Sequence, residues 1–151
     1  MLDIEDFKKS IGNKSRLLGI DPGKKRIGLA ISDEDKLVST PLKTILKKKH
    51  FDFIREIKEI IEENNIKGII VGNPLNMDGS KGSSSQSSND FARNLSNNIS
   101  IPVTMWDERL SSEGAFKLSD NMGVNTSKKI EKLDQNAASF ILQGVLDYLK
   151  R

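Results

Sequence analysis

The sequence predicts an α/β domain built on a five-stranded mixed sheet flanked by helices. Three observations carry that expectation. Between Arg16 and Ile45, short apolar segments are separated by turn residues, as in an antiparallel meander. From Phe51 onward, apolar residues at helical spacing alternate with two further strand-like runs. At 151 residues the chain has length for one ordinary core.

Each element follows in order. Ile4, Phe7 and Ile11 predict a short helix that docks on the domain, so residues 1–15 are an N-terminal extension and 16–151 the domain proper. The run from Arg16 to Ile20 is a first strand. It ends at Asp21-Pro22-Gly23, where proline second and glycine third favour a type II turn. Ile27 to Ser32 is a second strand. Leu37 to Ile45 is a third, and Pro41 within it marks a sheet edge. Phe51, Ile54, Ile57, Ile60 and Ile61 then fall on one helix face. Ile66 to Val71 is continuously apolar, as in a strand buried on both faces. Gly72 to Ser88 is rich in Gly, Ser, Asn and Pro and predicts a long loop. Phe91, Leu95 and Ile99 restore helical spacing, and Ile101 to Trp106 gives the fifth strand. Two helical segments close the chain, roughly 111–118 and 127–149.

Composition removes several kinds of chemistry. The absence of cysteine excludes disulfides, thiolate zinc sites and cysteine nucleophiles. The single histidine, His50, excludes paired-histidine mechanisms. No apolar run approaches the roughly 18–20 residues of a membrane span. The start, MLDIEDFKKSIGNKS, lacks the continuous apolar region of a signal peptide, so a cytoplasmic protein is expected. The net charge is only +3, with local clusters at Lys24-Lys25-Arg26, Lys47-Lys48-Lys49 and Lys128-Lys129. Any one cluster reads as solvated surface. A nucleic-acid interface needs them on one face beside the acids.

Three carboxylates stand where apolar elements end or turn inward: Asp21, Glu108 and Asp134. Asp21 also suits the first position of a turn, where its carboxylate bonds backbone amides. Glu108 closes the fifth strand, and alternation places it with Thr104 and Trp106, leaving Asp107 on the other face as the second choice. Asp134 lies in one helical stripe with Ala137, Ala138, Ile141, Val145 and Leu149. Small alanines there let a short acid approach Asp21. Oxygen ligands without nitrogen or sulfur suit magnesium or manganese. Two such ions about 4 Å apart clamp a scissile phosphate. The loop GNPLNMDGSKGSSSQSS, with Asn76 and Ser80, offers amides and hydroxyls to a sugar-phosphate chain, but lacks the Gly-Lys-Ser/Thr ending of a nucleotide P-loop.

DPGKKRIGLAISD, VGNPLNMDGS, DERLSS and LDQNAASFILQG, in that order, resemble the YqgF family of RuvC-like nucleases from about Arg16 to Tyr148. The resemblance implies an RNase H-like fold and a nuclease that matures the 5′ end of pre-16S ribosomal RNA. Holliday-junction resolvase is an older assignment for the family. By motif, its catalytic and metal-binding acids fall on Asp21, Glu108 and Asp134. Lys24, Lys25, Arg26, Asn76, Ser80, Arg109, Lys128 and Lys129 are the expected nucleic-acid contacts. Two places depart from the pattern: the basic segment before Asp134 is diluted by Asn125, Thr126 and Ile130, and Asn73 replaces a commonly apolar residue.

The leading expectation is an endonuclease dependent on magnesium or manganese, acting on structured RNA as a monomer or weak dimer. Branched DNA is the alternative substrate. A non-catalytic nucleic-acid-binding module is a further reading, though a binder gains nothing from clustered acids near phosphates. Actin-like ATPases share the implied fold, but they bind nucleotide between two such domains and this chain has room for one.

Overall fold

The computed structural model describes residues 1–47, 52–74, 82–107 and 126–150, with side chains at all of these except 83–84 and 126–136. In chain order the elements are α1 (Ile4–Ile11), β1 (Arg16–Pro22), β2 (Arg26–Ser32), β3 (Ser39–Leu46), α2 (Phe53–Asn64), β4 (Ile66–Asn73), α3 (Ser83–Asn98), β5 (Val103–Asp107) and α4 (Thr126–Leu149). The strands form one sheet in the order β3-β2-β1-β4-β5. The meander pairs are antiparallel, whereas β1–β4 and β4–β5 are parallel. The mixed sheet expected from the sequence is therefore present.

Alternation along the strands sorts side chains onto two faces. Leu18, Ile20, Ile27, Leu29, Ile69, Val71 and Val103 pack with α2 and α3. Leu17, Ala30 and Ile70 pack with α1 and α4. Burial on both sides explains why β1 and β4 read as continuous apolar runs. Gly19 sits under a close approach of α4. A Cβ there would lie 2.8 Å from Leu142 Cβ and 3.2 Å from the carbonyl oxygen of Ala138.

The foreseen N-terminal helix forms, capped by Asp3, whose carboxylate accepts from the Asp6 amide at 2.8 Å. Phe7 and Ile11 are buried against the sheet, and a Cβ on Gly68 would sit 2.7 Å from the Phe7 ring. Upstream of the helix, Leu2 bridges to Thr104 on the outer side of β5.

Three local expectations are corrected. The type II turn at Asp21 is absent, because β1 runs on through Pro22 and pairs Asp21 with Gly28. The reversal falls at Lys24-Lys25, closed by a bond from the Gly23 amide to the Arg26 carbonyl at 2.8 Å. Gly23 is there for space and not for a positive φ: a Cβ would meet the Arg26 oxygen at 2.4 Å. Further on, the expected loop over Gly72–Ser88 is partly regular structure, since β4 extends to Asn73 and α3 begins at Ser83. Ser85, Ser88, Ala92 and Leu95 are buried at helical spacing, so small polar residues line the inward stripe of α3 where an apolar pattern was sought. The third strand also starts later than expected, at Ser39. Leu37 and Val38 belong to the preceding turn, where their amides bond the Asp33 carboxylate at 2.8 and 3.0 Å. The segment expected as a helix over 111–118 lies outside the described residues.

Candidate active site

The carboxyl ends of β1, β4 and β5 lie on one edge of the sheet, because these three strands are parallel. Open α/β sheets bind ligands at such an edge. The β1–β2 turn and the end of β3 join it, through the bond from the Lys47 amide to the Lys25 carbonyl at 2.9 Å.

Asp21 occupies this edge, half-buried and inside the ladder. It lies two residues beyond Gly19 and four beyond Leu17, so its side chain is on the α4 face. The first-position-of-a-turn reading of Asp21 fails because the residue is paired inside the ladder. Its ladder partner Gly28 adds no side chain, and Arg26, two residues before Gly28, shares the same face. Lys24 and Lys25 are exposed at the turn. One carboxylate therefore has a cationic hairpin beside it, with no ion pair to it among the described residues.

Position 134 lies on α4 one turn before Ala138, whose carbonyl approaches Gly19. Helical spacing puts it in the stripe of Ala138, Ile141 and Val145, all buried against the sheet. The side chains of Asp134, Lys128 and Lys129 lie outside the described residues, as do Glu108, Arg109, Asn76 and Ser80 altogether. Thr104 and Trp106 occupy the α1/α4 face: the Thr104 hydroxyl donates to the Leu2 carbonyl at 2.9 Å, and the Trp106 ring tilts on Tyr148 with centroids 5.6 Å apart. Asp107 is on the opposite face. It pairs with Asn73, whose side-chain oxygen accepts from Ser85 on α3 at 2.7 Å. Asp107 thus does not share a face with Asp21. Among the described residues no three potential metal ligands gather.

Sequence reasoning missed a second feature of this edge. A cleft of about 390 Å³ opens beside the β1–β2 turn, lined by Pro22, Lys24, Lys47, Pro74, Ser88 and Phe91. Lys47 was visible only as one of three consecutive lysines. Phe91 and Ser88 read as helix packing and loop. No local pattern brings these residues together, since they come from five separate elements and connections.

The sequence profile of the RuvX family, described as a Holliday junction resolvase, matches residues 15–148. The chain belongs to the RuvX family. Among curated relatives, a protein of Pelagibacter ubique is 56% identical over 149 residues, 99% of each chain. One of Methylocella silvestris is 41% identical over 151 residues, covering all of this chain and 94% of its own. Both carry the name "Putative pre-16S rRNA nuclease". Among solved structures, RuvC of T. thermophilus in complex with a Holliday junction substrate superposes on this RuvX-family chain with a TM-score of 0.56. It is 12% identical, over 89% of this chain and 96% of that one. A Fowlpox virus resolvase bound to Holliday junction DNA gives 0.50 at 16% identity, over 89% and 97%. These likenesses establish the RNase H-like fold of the RuvX-family chain.

Proposed function

We propose that this chain is a metal-dependent endonuclease that hydrolyses a phosphodiester in structured RNA during maturation of the 5′ end of 16S ribosomal RNA. The observation that carries the reading is Asp21. It is a half-buried carboxylate inside the central ladder, on the face of α4 and beside a basic hairpin. Its oxygens make no ion pair among the described residues, which leaves them available to a cation at the sheet edge. The relatives named for pre-16S ribosomal RNA, similar over the whole length, supply the substrate class.

Asp21, Glu108 and Asp134 would hold the metal. Their oxygen-only donors fit magnesium or manganese, and three carboxylates facing one phosphate fit two ions. When bound, such ions stabilise charge on the phosphate oxygens and help ionise the attacking water. The chain itself contributes position. Arg26, on the face of Asp21, and Lys24 and Lys25 at the turn draw the backbone of the nucleic acid to the sheet edge, with Asn76, Ser80, Arg109, Lys128 and Lys129 as further contacts. The setting is the cytoplasm. Among the described residues no helix is long and apolar enough to cross a membrane.

Removing the metal tests the chemistry. With a precursor RNA spanning the 16S 5′ end, cleavage is expected in magnesium or manganese, to stop with chelator, and to return on adding the metal back. Calcium should support binding with little cutting, since its coordination is longer and looser. Full cleavage in chelator would refute the metal assignment. The family description favours a second reading, resolution of four-way DNA. Depletion of the protein in cells separates the two: 5′-extended 16S precursor accumulates under the first, unresolved recombination intermediates under the second.

A further inference from the structure

We propose that the cleft beside Pro22 is a nucleotide subsite that takes one unstacked base of the RNA strand next to the scissile phosphate. The inference rests on the nuclease reading above and adds to it where the neighbouring nucleotide goes. Asp21 and Pro22 are successive residues of β1, and their side chains lie on opposite faces of the sheet. Asp21 is on the α4 side, while Pro22 lines the cleft on the α3 side. A strand whose phosphate reaches Asp21 therefore crosses the sheet edge, and the adjoining nucleotide comes down at the mouth of the cleft.

The lining suits a nucleotide better than an ion or a peptide. Phe91, Pro22 and Pro74 give an apolar floor, and the hydroxyl-bearing Ser87 and Ser88 stand on α3. Lys24 and Lys47 bring positive charge from the turn and from the residue after β3, and no acidic side chain lines the cleft among the described residues. An aromatic ring between cations is how single-stranded RNA is held: the base stacks and the phosphates meet lysine. Phe91 is half-buried and fixed from behind by Phe53, with ring centroids 4.5 Å apart at 48°, so it is ordered before anything binds. A volume of about 390 Å³ is at the lower end of small-ligand pockets, which accommodates one nucleotide and excludes a duplex.

The test is an abasic scan. An RNA hairpin with a single-stranded 5′ extension is made with one base removed at each position in turn, and affinity is read by fluorescence anisotropy with calcium in place of magnesium. In the wild type, one position beside the cut site is expected to need its base, with about a tenfold loss on removal. Ser87→Trp fills the cleft from an exposed position on α3 without altering the core. It should bind the intact RNA about tenfold more weakly and become indifferent to that abasic site. Phe91→Leu, which keeps apolar volume but not the stacking face, should do the same. Wild-type binding indifferent to every abasic position overturns the subsite, and so does Ser87→Trp with unchanged affinity. If those results come from a wild type that still cleaves the RNA in magnesium, the nuclease reading survives alone. An RNA neither bound nor cut overturns both.

Discussion

Asp21 shows how much depends on whether one residue is in a turn or in a ladder. Preceding Pro-Gly, it reads first as a turn former whose carboxylate satisfies local amides. The ladder pairing with Gly28 removes that role and leaves the carboxylate at the sheet edge. Asp21→Asn, nearly the same shape, is therefore expected to abolish cleavage by at least about a hundredfold, more than loss of an outer-shell partner usually costs. The fold should survive, and thermal melts beside nuclease assays check both halves. Asp33 behaves oppositely and is structural. The amides of Val38 and Leu37 hold its carboxyl below the ordinary value, so the charged form is favoured in the folded state. Its stabilisation is present above the unfolded value near 3.8 and fades as pH falls through the lower folded value. Asp33→Asn should lower the melting temperature at neutral pH, with the difference vanishing well below pH 3.8.

At the scale of elements, the proposed site depends on the approach of α4 to β1. Gly19 permits it, and Gly68 permits a comparable approach of α1 at the far end of β4. Gly19→Ala and Gly68→Ala should each cost about 1–3 kcal/mol through overpacking. Only Gly19→Ala pushes on the helix that carries Asp134, so only it should reduce cleavage per folded molecule. Equal loss of activity in both variants would mean that α4 does not set the site. The elements also show what was legible. Strands β1 and β4 stood out because burial on both faces makes them uniformly apolar. The first half of α3 was hidden, because Ser85 and Ser88 fill its inward stripe in place of apolar residues. The motif singled out Asp21 as a candidate but did not give its geometry, since the turn one hairpin position away gives the same local sequence. Phe91 and Lys47 were not legible as cleft residues, because only the tertiary arrangement joins them.

For the whole molecule, the sheet has two outer strands, and among the described residues each carries an interruption to edge-to-edge pairing. On β3, Pro41 lacks an amide to donate, and the register shifts between Leu29 and Ala30 in its partner. On β5, the amide of Leu2 bonds the Val103 carbonyl at 2.9 Å. Among the described residues, the exposed large apolar side chains do not form one face, with Leu37 and Val38 in the turn before β3, Leu46 at the far end of β3 and Met1 ahead of α1. Light scattering at micromolar concentration should therefore find a monomer or weakly associating dimer, with and without a four-way DNA junction. A stable two-fold dimer making paired cuts in the junction would favour the resolvase reading, since such cuts need two symmetric sites.

The Leu2 bridge also has a consequence in time. The segment from Leu2 through α1 finds its partners much later in the chain, at Gly68, at Val103 and Thr104, and at Tyr148, whose hydroxyl bonds Glu5. At ordinary rates of translation, Thr104 follows Leu2 by on the order of 5–20 s. During that interval Phe7 and Ile11 have no completed sheet to cover them, and the cap of α1 must hold whatever helix forms. Helix α1 is thus among the last elements to dock, and the nascent protein stays open along β5 until the segment around Leu2 returns to close it.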